Sequence, residues 1–265
     1  NILKNKYLII LLLLTNTVYA ADSLVCKISV TASYFTADAL SDIYYINQHN
    51  EIVKTHCGSG DLFTYSNKNL GRPVSIDASN PMKILVFYPD QQTIVILNNQ
   101  LAELSALQLR GNISTQNFQP SAICKHTGTD HIWMYDELSR KLFRLDETGN
   151  QLASSEAFDQ LFTEPIEVET LYSANDKVFI SSKNSGVLVF DAYANFEKTI
   201  PVTFDVQQVT ANYIIGIDLQ ALQFFEFSNQ EIYNYPITGT SARLIGKSVF
   251  VQNQDSITIY DLGER

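Results

Sequence analysis

The chain has 265 residues with a formal charge of -10, and it is 45% hydrophobic, 17% charged and 11% aromatic. An acidic surface repels phosphate backbones and anionic headgroups, which sets aside nucleic-acid binding and docking on acidic membranes. The apolar and aromatic content, with few Gly and Pro, sets disorder aside and suits strands; the length admits one large all-β domain.

Residues 1–20 read as a secretory leader. Lys4 and Lys6 make a positive start, residues 7–14 form a short apolar run, and Val18-Tyr19-Ala20 fits a small-residue cleavage pattern. The run is well short of the roughly 20 residues a spanning helix needs. An uncleaved anchor is the competing reading. Cleavage after Ala20 is expected to leave a single domain, residues 21–265, of 245 residues and charge -12, with no transmembrane segment. That domain would sit in a bacterial periplasm or envelope, or be secreted. Cys26 follows Ser23-Leu24-Val25, not the small residues that precede a lipoprotein cysteine.

From there a unit recurs: a short strand, a polar turn, a strongly apolar strand, a polar tip, a second apolar strand ending in Asp or Asn, and a ragged fourth strand. Its first copy covers residues 32–36, 43–46, 51–55 and 62–65. The clearest copy has 73–77, 83–88 and 93–98 (Pro73-Val74-Ser75-Ile76-Asp77 leading). Later copies place their apolar pairs at 131–135 and 142–146, 178–180 and 187–191, 213–215 and 224–227, and 249–251 and 257–261. Anchored on Ile43, Ile84, Ile132, Val178, Ile214 and Val249, the offsets are 41, 48, 46, 36 and 35. Four-stranded propeller blades repeat every ~40–50 residues. The two short offsets predict trimmed outer strands or loops. One short turn of helix is expected within 154–162.

The two middle strands of each copy are apolar on both faces, so both faces must be covered. A sheet stacked between two like neighbours achieves this, and a ring removes the need for polar end caps. The sixth copy shows only three strands, and the apolar stretch 24–29 belongs to no copy. The expectation is therefore an all-β, six-bladed β-propeller of four-stranded blades, closed by an N-terminal strand that completes the last blade. With its Pro-led inner strand and its strand ending in Asp, the unit resembles NHL-type propeller repeats over residues 24–262. That resemblance implies a ligand- or protein-binding scaffold; a minority of such relatives are metal-dependent hydrolases or lyases.

No nucleophile elbow, His-Glu-x-x-His pair, phosphate loop or calcium loop occurs, so no catalytic residue and no cofactor is assigned. Gly58-Ser59-Gly60-Asp61 reads as a turn. The histidines are His49, His56, His126 and His131. His126 and His131, with Asp130 between them, are candidate metal ligands, weighed against a plain surface turn. Glu167 and Glu169 would share one face of an inner strand at 166–170 and could hold a cation at the channel mouth, or simply be solvated there. Most aromatics read as packing between blades; Tyr233 and Tyr235, on an outer strand, are candidates for stacking on a sugar or anchoring a partner. Cys26, Cys57 and Cys124 allow one bridge plus a free thiol, or no bridge. Cys26 and Cys57 fall on the neighbouring sixth and first blades, where a clasp is conceivable.

The leading expectation is a non-enzymatic protein-binding scaffold, a monomer or part of an envelope complex, acting through loops on one face. The long loops 66–72 and 110–119 nominate Arg72, Arg110, Asn112 and Asn117 as contacts. The alternatives are a metal-dependent hydrolase or lyase at the channel mouth, or a carbohydrate-binding propeller.

Overall fold

The computed structural model describes residues 23–110, 118–218 and 221–263. The expected leader and the candidates Asn112 and Asn117 lie outside them. Strand β1 (Ser23–Ser29) comes first in the described chain. Blade one holds β2 (Ala32–Ala37), β3 (Asp42–Asn47), β4 (Ile52–His56) and β5 (Leu62–Tyr65). Blade two holds β6 (Ser75–Asp77), β7 (Ile84–Tyr88), β8 (Thr93–Leu97) and β9 (Glu103–Gln108). Blade three holds β10 (Pro120–Lys125), β11 (Ile132–Asp136), β12 (Lys141–Leu145) and β13 (Gln151–Ser154). Blade four holds β14 (Val168–Ala174), β15 (Lys177–Ser182), β16 (Gly186–Phe190) and β17 (Phe196–Ile200). Blade five holds β18 (Val206–Val209), β19 (Tyr213–Ile217), β20 (Leu222–Glu226) and β21 (Ile232–Tyr235). Blade six holds β22 (Ser241–Ile245), β23 (Ser248–Gln252) and β24 (Ser256–Asp261), and its outer strand is β1, paired antiparallel with β24. The described residues thus form six four-stranded antiparallel blades, closed as the repeat pattern predicts.

Alternation along the middle strands explains the ring. On β7 every residue is buried. Ile84, Val86 and Tyr88 pack with Tyr44 and Ile46 of blade one, whereas Leu85 and Phe87 pack with Ile132 and Met134 of blade three. On β11 Ile132 and Met134 face blade two, while Trp133 and Tyr135 face Leu171, Val178 and Ile180 of blade four. Successive side chains leave a strand on opposite faces, so an unbroken apolar run feeds two seams at once. The closing seam is of the same kind: Phe35 and Ile43 of blade one pack with Phe250, Ile257 and Ile259 of blade six, with Cys26 and Ile28 of β1 against them.

A polar stitch also crosses every seam. Tyr34 donates to Ile76 O (3.1 Å), and the Lys125 N–H donates to Asp77 Oδ2 (2.7 Å). The Thr127 N–H reaches Ser173 Oγ (3.0 Å), and Tyr172 donates to Val206 O (2.7 Å). Gln208 exchanges hydrogen bonds with the Leu244 backbone, donating to its O (3.1 Å) and accepting from its N–H (2.6 Å). Gln252 Nε2 donates to Ala32 O (2.6 Å), closing the circuit. Backbone groups buried in a seam need such partners.

The acidic or amide residue at strand ends has a local cause. Asp38, Asn47, Asn98, Asp146 and Asp191 each accept two backbone N–H bonds through Oδ1, from residues two and four positions on. The fourth residue of each turn, Ser41, Asn50, Leu101, Gly149 or Ala194, has positive φ. The side chain replaces ladder bonds that the tight turn cannot make.

Of three details, two refine the sequence reading and one, the start of an inner strand, departs from it. The short spacings trim connections, not strands: β17 to β18 and β21 to β22 are joined by residues 201–205 and 236–240, and both outer strands are kept. The inner strand expected at 166–170 begins at Val168 and runs to Ala174, after Pro165, with an irregular register between Val168 and Thr170. Burial of Leu171 and Ala174 pulls the ladder toward the later residues. The helical turn is confined to α1 (Phe158–Leu161), anchored by buried Phe158 stacked on Phe190. No helix among the described residues is long and apolar enough to cross a membrane.

Candidate binding site

The inner strands β2, β6, β10, β14, β18 and β22 surround the central channel. All run the same way, so the molecule has two unlike faces. One, the turn face, carries the hairpins β2–β3 and β4–β5 and their equivalents. The other, the connection face, carries the hairpins between middle strands and the links from blade to blade.

Two chambers divide the channel. A chamber of about 350 Å³ opens toward the turn face between Asp38, Ser79, Lys125, Ser173 and Gly246. One of about 260 Å³ opens toward the connection face between Ser33, Val206, Thr240 and Gln252. Tyr34, Thr170, Tyr172 and Arg243 border both and form the waist. Arg243 is only 8% exposed. Its Nη1 donates to Ala242 O (2.7 Å) and Ser241 Oγ (3.3 Å), and the guanidinium lies over the rings of Phe35 (5.5 Å) and Tyr34 (5.8 Å). Burial raises the Tyr172 pKa, so its hydroxyl stays a neutral donor. None of these waist residues belongs to a local motif. They come from blades one, four and six, so only the topology brings them together; a cation at an inner-strand position was the one signal available.

The candidates on the connection face are Arg72 and Arg110, both exposed. Arg72 is held by its N–H on Asp90 Oδ2 (3.1 Å), next to Gly71, whose φ of +83° and contact with Asp90 leave no room for a side chain. Val74 follows, 46% exposed, and Leu138 stands 67% exposed at the tip between β11 and β12. Glu167 and Glu169 also lie toward this face, but on the rim. Glu167 sits 3.9 Å from Lys183, and Glu169 lines a separate recess of about 320 Å³ with Ser182, Lys183 and Asn184. Neither borders a channel chamber: Glu167 precedes β14, and Glu169, on β14, lines the separate recess.

His126 and His131 are brought together on the turn face, their rings parallel with centroids 6.2 Å apart. Trp133 Nε1 donates to His126 Nδ1 (3.1 Å), and burial lowers the His126 pKa, favouring neutral imidazole. Asp130 turns away from both. Its Oδ1 accepts from Lys125 and its Oδ2 from Lys83, each at 2.6 Å, and these bonds hold its pKa down to about 2. Among the described residues no group of three or more His, Cys, Asp or Glu stands close enough to hold a metal ion.

Tyr233 and Tyr235 share a groove of about 410 Å³ with Tyr213, Phe224 and Leu262 at the outer edge of blades five and six. Tyr235 packs edge-on against Phe224 (5.0 Å), while Tyr233 is held by Asn229 (2.6 Å) and Glu231 (3.0 Å). Cys26 and Cys57 are disulfide-bonded, with Cα atoms 6.4 Å apart, and Cys124 is a buried free thiol. Beside the bridge, Asp42 accepts from Lys54 (2.7 Å) and pairs with His56 Nδ1 (2.9 Å), a contact that spacing alone did not reveal.

No protein-family model matches the chain, and no curated protein does. Solved structures do. A streptogramin B lyase superposes with TM-score 0.58 at 12% identity, covering 89% of this chain and 97% of that one. Virginiamycin B lyase from Staphylococcus aureus gives 0.56 at 15%, covering 86% and 79%. YCF48 bound to a D1 peptide gives 0.54 at 10%, covering 84% and 76%. At these identities the likeness is one of fold. The protein is a six-bladed β-propeller, and the NHL-like resemblance holds at that level.

Proposed function

We propose that the protein is an exported, non-enzymatic scaffold that holds a protein partner on its connection face, centred on blades two and three. The observation that carries this reading is the exposure on one face of Leu138 and Val74 and of the cations Arg72 and Arg110, on a chain whose net charge is -10. Apolar anchors and arginines on one face suit a protein interface. The rigid blades hold the loops in place, which lowers the ordering cost of binding. That YCF48 is a propeller with a bound peptide supports the capacity of the fold. The Cys26–Cys57 bridge supports an oxidising compartment. Replacing loops 66–72 and 110–119 with short Gly/Ser turns is expected to abolish recovery of the partner in a crosslinking pull-down while circular dichroism stays unchanged. Undiminished recovery would refute the placement.

A second reading, carbohydrate binding, is favoured by the tyrosine-lined groove of blades five and six. Glycan binding that survives both Tyr233→Ala and Tyr235→Ala would remove it.

A further inference from the structure

We propose that the channel waist is a binding site for a compact organic acid, whose carboxylate is received by Arg243. This goes beyond the face-mediated scaffold and uses a different part of the molecule. A buried guanidinium is costly unless an anion answers it. Arg243 is nine-tenths buried, yet no Asp or Glu among the described residues makes an ion pair with it. Its Nη1 bonds go to a neutral carbonyl and a neutral hydroxyl. None of its nitrogens is sealed off without a partner, and the group borders both chambers.

The setting is preorganised. The rings of Tyr34 and Phe35 pack against the guanidinium, their centroids 5.8 and 5.5 Å from its central carbon. Tyr34 and Tyr172 are themselves fixed by hydrogen bonds to the next blades. A planar fork held in place is suited to a carboxylate. The larger chamber, about 350 Å³ and walled by Thr36, Ile76, Thr170 and Leu171, has the size of a small-molecule site. Lys125, paired with Asp130, lines its outer part with Asp38 and Asp77, which leaves Arg243 as the cation of the lining without a carboxylate partner among the described residues.

The test uses trifluoroacetate as the probe and trifluoroethanol as its neutral counterpart, observed by fluorine NMR with the whole exported chain. The trifluoroacetate line should broaden saturably and recover when acetate is added, while trifluoroethanol stays sharp. Arg243→Gln should weaken binding about tenfold or more, as loss of charge-assisted hydrogen bonds does. Exposed Arg140→Gln should leave it unchanged. Absence of broadening, or equal broadening in Arg243→Gln, would overturn the proposal. Should Arg243→Gln fail to fold, bromide soaked into wild-type crystals decides. An anomalous peak beside the Arg243 guanidinium is expected, and a map empty there overturns the site.

Discussion

Asp130 joins two blades: Lys83 of the β6–β7 turn takes one oxygen and Lys125 of β10 the other. Its pKa, held down to about 2, lies below the ~3.9 of an unfolded Asp. Its contribution to stability is therefore present above pH ~4 and lost as pH falls through about 2. Asp130→Asn should flatten the fall in Tm across that window; the side chain is partly exposed, so solvent screening keeps the effect modest. An Asn variant whose Tm falls as steeply as wild type would contradict the pairing. Asp191 tests the turn device. Asp191→Ala should cost about 1 kcal/mol in urea unfolding, and Asp191→Asn much less, since the amide oxygen can still accept the Tyr193 and Asn195 N–H bonds. At this scale the sequence was partly legible. A strand ending in Asp or Asn marked the turns, because the side chain caps its own loop. The partners of Asp130 were hidden, because Lys83 comes from another blade.

Strand β1 completes blade six with the register Leu24↔Tyr260 to Ser29↔Ser256, and Cys26–Cys57 ties it to the end of β4 in blade one. The strand alone is shallowly held: Leu24 and Val25 are largely exposed. The bridge closes a loop of 31 residues, for which chain entropy gives about 3–4 kcal/mol. Cys26→Ser with Cys57→Ser should lower stability by about that much. It should also raise hydrogen exchange in β1 ahead of β23. Equal exchange in the two strands would show that the bridge is not what holds the closure. The apolar middle strands were readable because burial on both faces leaves an unbroken apolar run, and the orphan stretch 24–29 announced the closure. The start of β14 was not readable: Glu167 and Glu169 alternate like strand residues, and only the burial of Leu171 and Ala174 fixes which part pairs.

For the whole molecule, the ring turns one repeat into two unlike faces and a channel. That step separates candidates which look equivalent in sequence. Arg72, Arg110 and Leu138 fall on the connection face, the His126–His131 pair on the turn face, and Tyr233 on the outer edge. The waist of Tyr34, Tyr172 and Arg243 was illegible because it draws on three blades far apart in the chain. Position on a face also gives the most direct test of the scaffold reading. A photo-crosslinking amino acid placed at Leu138, 67% exposed on the connection face, is compared in cells that produce the protein with one at Tyr193, 72% exposed on the turn face. A discrete protein adduct at Leu138 and none at Tyr193 is the predicted result. An adduct at Tyr193 alone, or at neither position, would contradict it.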